Sequence, residues 1–197
     1  FCANQEAVEK FTLDKPALIC RWRMSNKKVP MLNRHIRALS ERLVQGEPLT
    51  HNMLSWAKQH VEWSLAEGDY TAHDGVLMLV IDVNGNAAMT VGEYEPLADT
   101  SAKALRARSA EARSEADETG VAPELLAAVN NGELAFVAPA DECLCGTATL
   151  IEQLAQTKGI PVTHVDIPAQ LKGALFLVSD EHGVVPATET DAAEADA

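Results

Sequence analysis

Lys103 is the residue of this sequence that raises the clearest chemical question. It lies in TSAKALRARSAEARSEADETG (100–120) and is the only lysine between Lys58 and Lys158. A lysine amine forms a Schiff base with a carbonyl compound only where burial or a cationic neighbour keeps it neutral. In a stretch rich in Ala, Arg and Glu, the alternative is a charge on the water-facing side of a helix. The local residues leave both alternatives open.

The cysteines and histidines form no standard catalytic or metal-binding motif. Cys143 and Cys145 make a C-x-C pair without the second pair or the His partners of a zinc site, so no metal site is expected. Together with Cys2 and Cys20 they are expected to be free thiols. His35 is expected to be structural. The P-loop, G-x-G-x-x-G, H-E-x-x-H and G-x-S-x-G motifs are also missing from the sequence.

Composition and charge exclude several classes of partner. The 197 residues carry a formal net charge of −13, which argues against nucleic acid as a partner. No apolar run approaches the ~20 residues needed to cross a bilayer, so no membrane partner is expected. FCANQEAVEKF (1–11) carries charges where a signal peptide would be apolar, so a cytoplasmic protein is expected. The acidic, Ala-rich residues 189–197 are expected to form a disordered tail.

The first half of the chain begins with two predicted strands and a helix. ALICRWRM (17–24) alternates as a strand does, and a polar SNKK turn leads to VPML (29–32), which predicts a second, antiparallel strand. LNRHIRALSERL (32–43) predicts a helix that QGEP ends. One face of this helix carries Leu32, Ile36, Leu39 and Leu43.

A second helix and a β-hairpin complete the first half. Thr50 is a favoured N-cap, and the helix after it has an apolar stripe that predicts a buried face. GVLMLVIDV (75–83) is almost continuously apolar, which predicts a strand buried on both sides. Asn84-Gly85 is a strong hairpin signal, so NAAMTVGEY (86–94) is the predicted return strand. The stripe consists of Leu54, Ala57, Val61 and Leu65.

The second half predicts helices and strands in a different order, and the chain as a whole is predicted to be α+β. Residues 100–118 are expected to form a helix that ends at Gly120. Thr147 to Lys158 predicts an amphipathic helix with Leu150, Ile151, Leu154 and Ala155 inward. The predicted strands are ELAFVAP (133–139), IPVTHVDI (160–167) and ALFLVSD (174–180).

Several segments resemble, in the same order, those of the fold-type-IV (class IV) pyridoxal-phosphate enzymes, which include branched-chain and D-amino-acid aminotransferases and aminodeoxychorismate lyase. The resemblance rests on Arg23 with NRHIRAL (33–39), on HNMLSWAKQH to IDVNG (51–85), on NNGELAFV to THVDI (130–167) and on ALFLVSDEHGVVPAT (174–188). It implies a two-domain α+β fold, fold-type-IV aminotransferase-like, with a shortened second domain. The implied parts are a small N-terminal domain (1–97), a linker (98–102) and a C-terminal cofactor-type domain (103–188).

The same resemblance implies a site for pyridoxal 5'-phosphate. Lys103 stands where the family has its Schiff-base lysine, and Arg106 would help to keep its amine neutral. The cofactor-binding residues implied are Arg23, Gly146, Thr147, Ala148 and Ser179. The implied enzyme is an aminotransferase or lyase that acts on an amino acid or 2-oxo acid, with Lys103 moving the α-proton of the substrate. The family also implies a homodimer.

The sequence departs from the family pattern around the implied cofactor. The strand that carries the family's glutamate is missing, because APELLAAV (122–129) runs almost directly into NNGELAFVAP (130–139). Ala148 replaces a hydroxyl that would contact phosphate, and Asp180 stands where the second phosphate-binding threonine would be. A carboxylate near a phosphate is repulsive in a dry site. The alternative function is therefore that of a non-catalytic relative that has lost the cofactor and acts as a dimeric binding or interaction protein.

Overall fold

The computed structural model describes residues 13–68, 73–120, 122–139 and 142–188. The predicted tail 189–197 and Cys2 lie outside these residues. In chain order the elements are β1 (Pro16–Met24), α1 (Leu32–Ser40), β2 (Leu43–Val44), β3 (Glu47–Pro48), α2 (His51–Glu67), β4 (Gly75–Asp82), β5 (Ala87–Gly92), α3 (Ala102–Thr119), β6 (Leu125–Asn130), β7 (Glu133–Val137), α4 (Gly146–Thr157), β8 (Val162–Val165), a 3-10 turn (Pro168–Gln170), β9 (Ala174–Ser179) and β10 (Gly183–Pro186). The predicted α+β class is confirmed.

The first sheet is antiparallel, in the order β1-β4-β5. The central strand β4 is almost wholly buried, as its apolar run predicts. At the hairpin after it, one oxygen of Asp82 accepts from the backbone N–H groups of Asn84 and Asn86 at 2.8 Å each. Helix α2 covers the sheet with the predicted stripe of four buried side chains, and the Thr50 hydroxyl accepts from Met53 N–H at 3.2 Å.

The second sheet has the order β10-β9-β6-β7-β8, with only the β7–β8 pair parallel. Helix α4 supplies the crossover between those parallel strands, as a parallel connection requires. Helix α3 packs against β9 and β6, and it also contacts β1 of the first sheet. Helix α1 packs against both α2 and α4. The two sheets are therefore joined by α3, which contacts strands of both, and by the packing of α1 against α4.

The prediction of a second strand over VPML (29–32) is wrong. An isolated bridge joins Ser25 to Lys28, and no strand follows. Asn26 and Lys27 both have positive φ, 51° and 55°, so the chain turns tightly there. Pro30 has no N–H to give to a sheet, and α1 begins two residues later.

Three details of the predicted helices and strands also differ. Helix α1 ends at Ser40, because Leu43 to Pro48 form the β2–β3 hairpin with Gln45-Gly46 as its turn, and Leu43 is 56% exposed. Leu154 is 50% exposed, although its helical spacing predicted an inward position. The buried strand β6 was not predicted, since LLAAV is too short and too uniformly apolar to show a period. The domain limits at 97 and 103 stay predictions.

Candidate functional site

Asp180 lies at the point where the two sheets meet. It follows the last residue of β9, and its backbone carbonyl accepts a hydrogen bond from the N–H of Arg23 in β1 at 2.9 Å. This bond joins the residue after β9, in the second sheet, to β1, the edge strand of the first sheet. The side chains of Arg23 and Asp180 are therefore held at the same junction by backbone geometry.

The carboxylate of Asp180 caps the N-terminus of α4. Oδ2 accepts from Gly146 N–H at 3.2 Å, and Oδ1 accepts from both the N–H and the hydroxyl of Thr147 at 2.8 Å. The first N–H groups of a helix have no partner within the helix and attract negative charge. Burial raises the pKa of Asp180, but the contacts with His35 and Thr147 outweigh it, so the pKa lies below its ordinary value. Asp180 is therefore a charged cap whose side chain is only 12% exposed.

His35 closes the other side of the same helix terminus. Its ring stacks on Trp22, with 5.4 Å between centroids, and its Nδ1 lies 3.2 Å from Oδ2 of Asp180 at a poor hydrogen-bonding angle. A Cβ at Gly146 would stand only 2.5 Å from that nitrogen, so the ring occupies the space beside the first turn of α4. The prediction of a structural role for His35 agrees with this packing.

A cavity of about 370 Å³ opens in front of this terminus. The guanidinium of Arg23 lies over the ring of Tyr94, 3.4 Å from its centroid, and its buried Nη1 has no hydrogen-bond partner among the described residues. Tyr94 also contacts His182, whose Nδ1 lies 3.3 Å from its hydroxyl. Other cavity-lining residues are Met31, Thr147, Asp180 and Glu181. The cavity is thus lined by a guanidinium with an unsatisfied donor among the described residues and by the aromatic ring of Tyr94.

Two arginine–carboxylate pairs lie near Asp180, where Arg21 and Glu124 line a second, smaller cavity. Arg108 binds Glu124 with two hydrogen bonds of 3.0 and 2.7 Å, and the Glu124 side chain is only 8% exposed. Arg21 binds Glu115 through bonds of 3.2 and 2.5 Å. These bonds lower the pKa of Glu115 and raise the pKa of both arginines. The first pair ties α3 to the start of β6, and the second ties α3 to β1.

The structure brings five of the six residues implied by the resemblance to one place. Arg23, Gly146 and Thr147 contact Asp180 as described, while the Ser179 hydroxyl accepts from His182 N–H at 2.9 Å. Ala148 is fully buried in the first turn of α4.

Lys103 lies elsewhere. It is exposed at the start of α3 and does not line the cavity described above. Arg106, its implied cationic neighbour, donates to the carbonyl of Pro168 at 3.0 Å. The role of Lys103 as a Schiff-base amine stays a prediction.

Two of the described thiols, Cys20 and Cys145, are poor nucleophiles. Burial raises the pKa of Cys20 to about 12, and burial also raises the pKa of Cys145 well above its ordinary value. A thiol at such a pKa is almost entirely protonated at neutral pH and is chemically inert. Cys20 and Cys145 are therefore core residues.

Comparison with solved structures identifies the fold. A hypothetical aminotransferase from Mycobacterium tuberculosis, bound to α-ketoglutarate and PMP, is 14% identical with a TM-score of 0.62, covering 95% of this chain and 88% of its own. A protein assigned as a 4-amino-4-deoxychorismate lyase from Legionella pneumophila is 12% identical with a TM-score of 0.61, covering 95% and 89%. The fold IV-transaminase CpuTA1 from Curtobacterium pusillum is 14% identical with a TM-score of 0.58, covering 90% and 79%. The chain has the fold-type-IV aminotransferase fold.

Sequence comparison adds no relative: no protein-family model matches the chain, and no curated protein matches it significantly. The two-domain, fold-type-IV architecture predicted from the order of the segments is therefore confirmed by structure alone. Among the described residues, no helix is both long enough and apolar enough to span a membrane.

Sequence reasoning missed Tyr94, Glu124, Glu181 and His182. The signal that could have found the last two is the run Asp180-Glu181-His182, three polar residues directly after a buried strand. Loops at strand ends are where functional side chains concentrate. Tyr94 and Glu124 gave no such signal, since Tyr94 reaches the cavity, and Glu124 reaches Glu181 and His182, only through the pairing of distant strands.

Proposed function

We propose that this protein is a divergent, non-catalytic relative of the class IV pyridoxal-phosphate enzymes that binds a small carboxylate in its cavity. The observation that carries the proposal is the position of Asp180. Its carboxylate already occupies the helix terminus that the resemblance assigns to the cofactor phosphate. A helix N-terminus binds one anion with its free N–H groups, and here that anion is part of the chain.

The residues present do not fit the phosphate of pyridoxal phosphate at this terminus. The N–H groups of Gly146 and Thr147 and the Thr147 hydroxyl all donate to Asp180. A phosphate dianion there would face a buried, ionised carboxylate, and like charges repel strongly where water is excluded. The His35 ring takes up further space against Gly146. No reaction step through this cofactor is proposed.

A small carboxylate suits the part of the cavity that remains. Arg23 presents a buried Nη1 that has no hydrogen-bond partner in the part of the chain that the structure describes, and such a donor costs about 1–3 kcal/mol until an acceptor reaches it. A planar guanidinium pairs with a carboxylate through two parallel hydrogen bonds. The Mycobacterium tuberculosis neighbour is bound to α-ketoglutarate, a dicarboxylate of this class. We therefore propose a 2-oxo acid or amino acid as the ligand.

The second candidate is the pyridoxal-phosphate-dependent aminotransferase or lyase. It is favoured by Arg23, which stands where the family's phosphate arginine is expected, and by neighbours of the same fold that carry PLP or PMP. In that function Lys103 would be the Schiff-base residue. Its exposed position on α3 favours the first candidate. The homodimer and the cytoplasmic location stay predictions.

A spectroscopic experiment separates the two candidates. The purified protein is titrated with pyridoxal phosphate, reduced with borohydride and digested, and the labelled lysines are located by mass spectrometry. We expect no saturable aldimine absorbance and no preference for Lys103 over the equally exposed Lys158. A saturable band that is lost in Lys103→Ala and kept in Lys158→Ala would overturn the proposal in favour of the enzyme.

Carboxylate binding is tested separately, by calorimetric titration with α-ketoglutarate. We expect binding that weakens at least about 10-fold in Arg23→Gln, because a charged hydrogen bond is worth about 1.5–3 kcal/mol. Arg37→Gln removes the same charge from the exposed face of α1 and serves as the matched control. Equal binding by the two variants would refute the assignment of Arg23.

A further inference from the structure

Glu124, Glu181 and His182 form a compact cluster, of which the last two line the cavity, and we propose that it is a binding site for a divalent first-row metal ion. Each residue offers one ligand atom, and the three atoms lie within 4.8 Å of one another. Two carboxylates with one imidazole are a donor set that suits Mn²⁺ and Zn²⁺. The inference rests neither on the proposed carboxylate ligand nor on any cofactor.

Sheet register creates the cluster. Strands β6 and β9 are antiparallel, and Leu125 pairs with Val178. Glu124, immediately before β6, therefore comes alongside the turn that follows β9, which carries Glu181 and His182. Tetrahedral ligand atoms at about 2.1 Å from a metal are roughly 3.4 Å apart, so side-chain movements on the order of 1 Å close the site.

His182 is oriented toward this cluster. Its side chain is only 4% exposed, and Nε2 makes no hydrogen bond with a described residue, since the nearest Glu124 oxygen is 3.9 Å away. The other nitrogen, Nδ1, lies 3.3 Å from the Tyr94 hydroxyl. An imidazole that donates its Nδ1–H to this hydroxyl presents the lone pair of Nε2 to the cluster. This is the arrangement by which outer hydrogen bonds orient metal-binding histidines.

Glu124 keeps acceptor capacity although Arg108 binds it. The guanidinium uses one lone pair on each carboxylate oxygen, and a carboxylate has about four such positions. Ligating carboxylates are themselves usually hydrogen-bonded, so Arg108 fixes the rotamer of Glu124 as an outer partner. Glu181, with Asp180 beside it, adds negative charge on the same wall, which a divalent cation would offset.

The test uses Mn²⁺, because the half-buried thiol of Cys143 would compete for Zn²⁺. The full-length protein is freed of metal with a chelator, dialysed and titrated with Mn²⁺, and free Mn²⁺ is measured by electron paramagnetic resonance. We expect one saturable site. Its affinity should fall at least 10-fold in Glu181→Gln and in His182→Asn. Tyr94→Phe keeps the ring beneath Arg23, and it should lower the affinity by about 10–100-fold through the lost hydrogen bond.

His164→Gln is the matched control, because His164 and Glu152 form an exposed histidine–carboxylate pair at 2.6 Å outside the cavity. It should leave the affinity unchanged. Glu181→Gln is the decisive variant, since this half-exposed side chain is the least needed for folding, and circular dichroism verifies its fold. Absence of saturable binding to the wild type overturns the proposal. Equal affinity in Glu181→Gln also overturns it, because the ion would then be held only by the acidic surface or tail.

Discussion

Replacing Asp180 with Asn tests whether the carboxylate that caps α4 stabilises the fold. The substitution keeps the shape of the side chain and removes its charge. In the wild type, two oxygens accept three hydrogen bonds from Gly146 and Thr147. The amide keeps one acceptor oxygen and turns an NH₂ group toward the donors that the second oxygen served. At least one buried donor then loses its partner.

The expected loss follows from these contacts. A hydrogen bond to a charged group contributes about 1.5–3 kcal/mol, and a charge at a partly buried helix terminus adds up to about 2 kcal/mol. We expect the free energy of unfolding to fall by about 2–4 kcal/mol at neutral pH, measured by urea denaturation. Asp166→Asn removes the same charge from an exposed position and should change it by less than about 0.5 kcal/mol.

The stability difference between the wild type and Asp180→Asn should also depend on pH. Burial raises the pKa of Asp180, yet His35 and Thr147 lower it further, so the folded-state pKa is below the unfolded one. The wild-type advantage over Asp180→Asn is then complete above the ordinary aspartate pKa of about 3.9 and is lost as the pH falls through the lower folded value. A difference below 0.5 kcal/mol at neutral pH, or one that persists unchanged in acid, would refute the assignment of a charged cap.

Two further predictions concern stability. Gly120 and Gly159 both have left-handed backbones, with φ of 67° and 69°. A Cβ at Gly120 would collide with the Ala17 carbonyl, whereas a Cβ at Gly159 would meet no heavy atom of the described residues within 4 Å. Gly159→Ala should cost about 1–2 kcal/mol in urea denaturation and Gly120→Ala clearly more, and equal costs would contradict the packing of α3 on β1. Arg108→Gln leaves the buried Glu124 carboxylate without its two hydrogen bonds and should lower the midpoint of thermal unfolding, corresponding to about 1–3 kcal/mol, whereas the exposed Arg37→Gln should leave it unchanged. A midpoint equal for both arginine variants would show that the Glu124 pair is not structural.

Local patterns were sufficient for the elements that carry their own signals. The stripe of α2 was predicted residue by residue because helical period and a Thr N-cap agree, and all four side chains are buried. The strand β4 and its Asn84-Gly85 turn were predicted because a continuous apolar run is followed directly by a hairpin signal. The strand β6 escaped prediction, and VPML was misassigned, because four or five apolar residues do not distinguish a strand from a turn.

The candidate site was likewise only partly predictable from the sequence. From the sequence alone, Arg23, Gly146 and Thr147 resemble the family's phosphate-binding positions, and Asp180 stands where a threonine would be expected. The tertiary structure was needed to show that the Asp180 carboxylate caps α4, because its three hydrogen bonds join the residue after β9 to a helix terminus more than 30 residues away in the chain. The cluster of Glu124 with His182 likewise depends on the register of β6 against β9, which no local pattern encodes. Contacts between distant residues form when whole strands pair, so their partners are fixed by the sheet and not by sequence spacing.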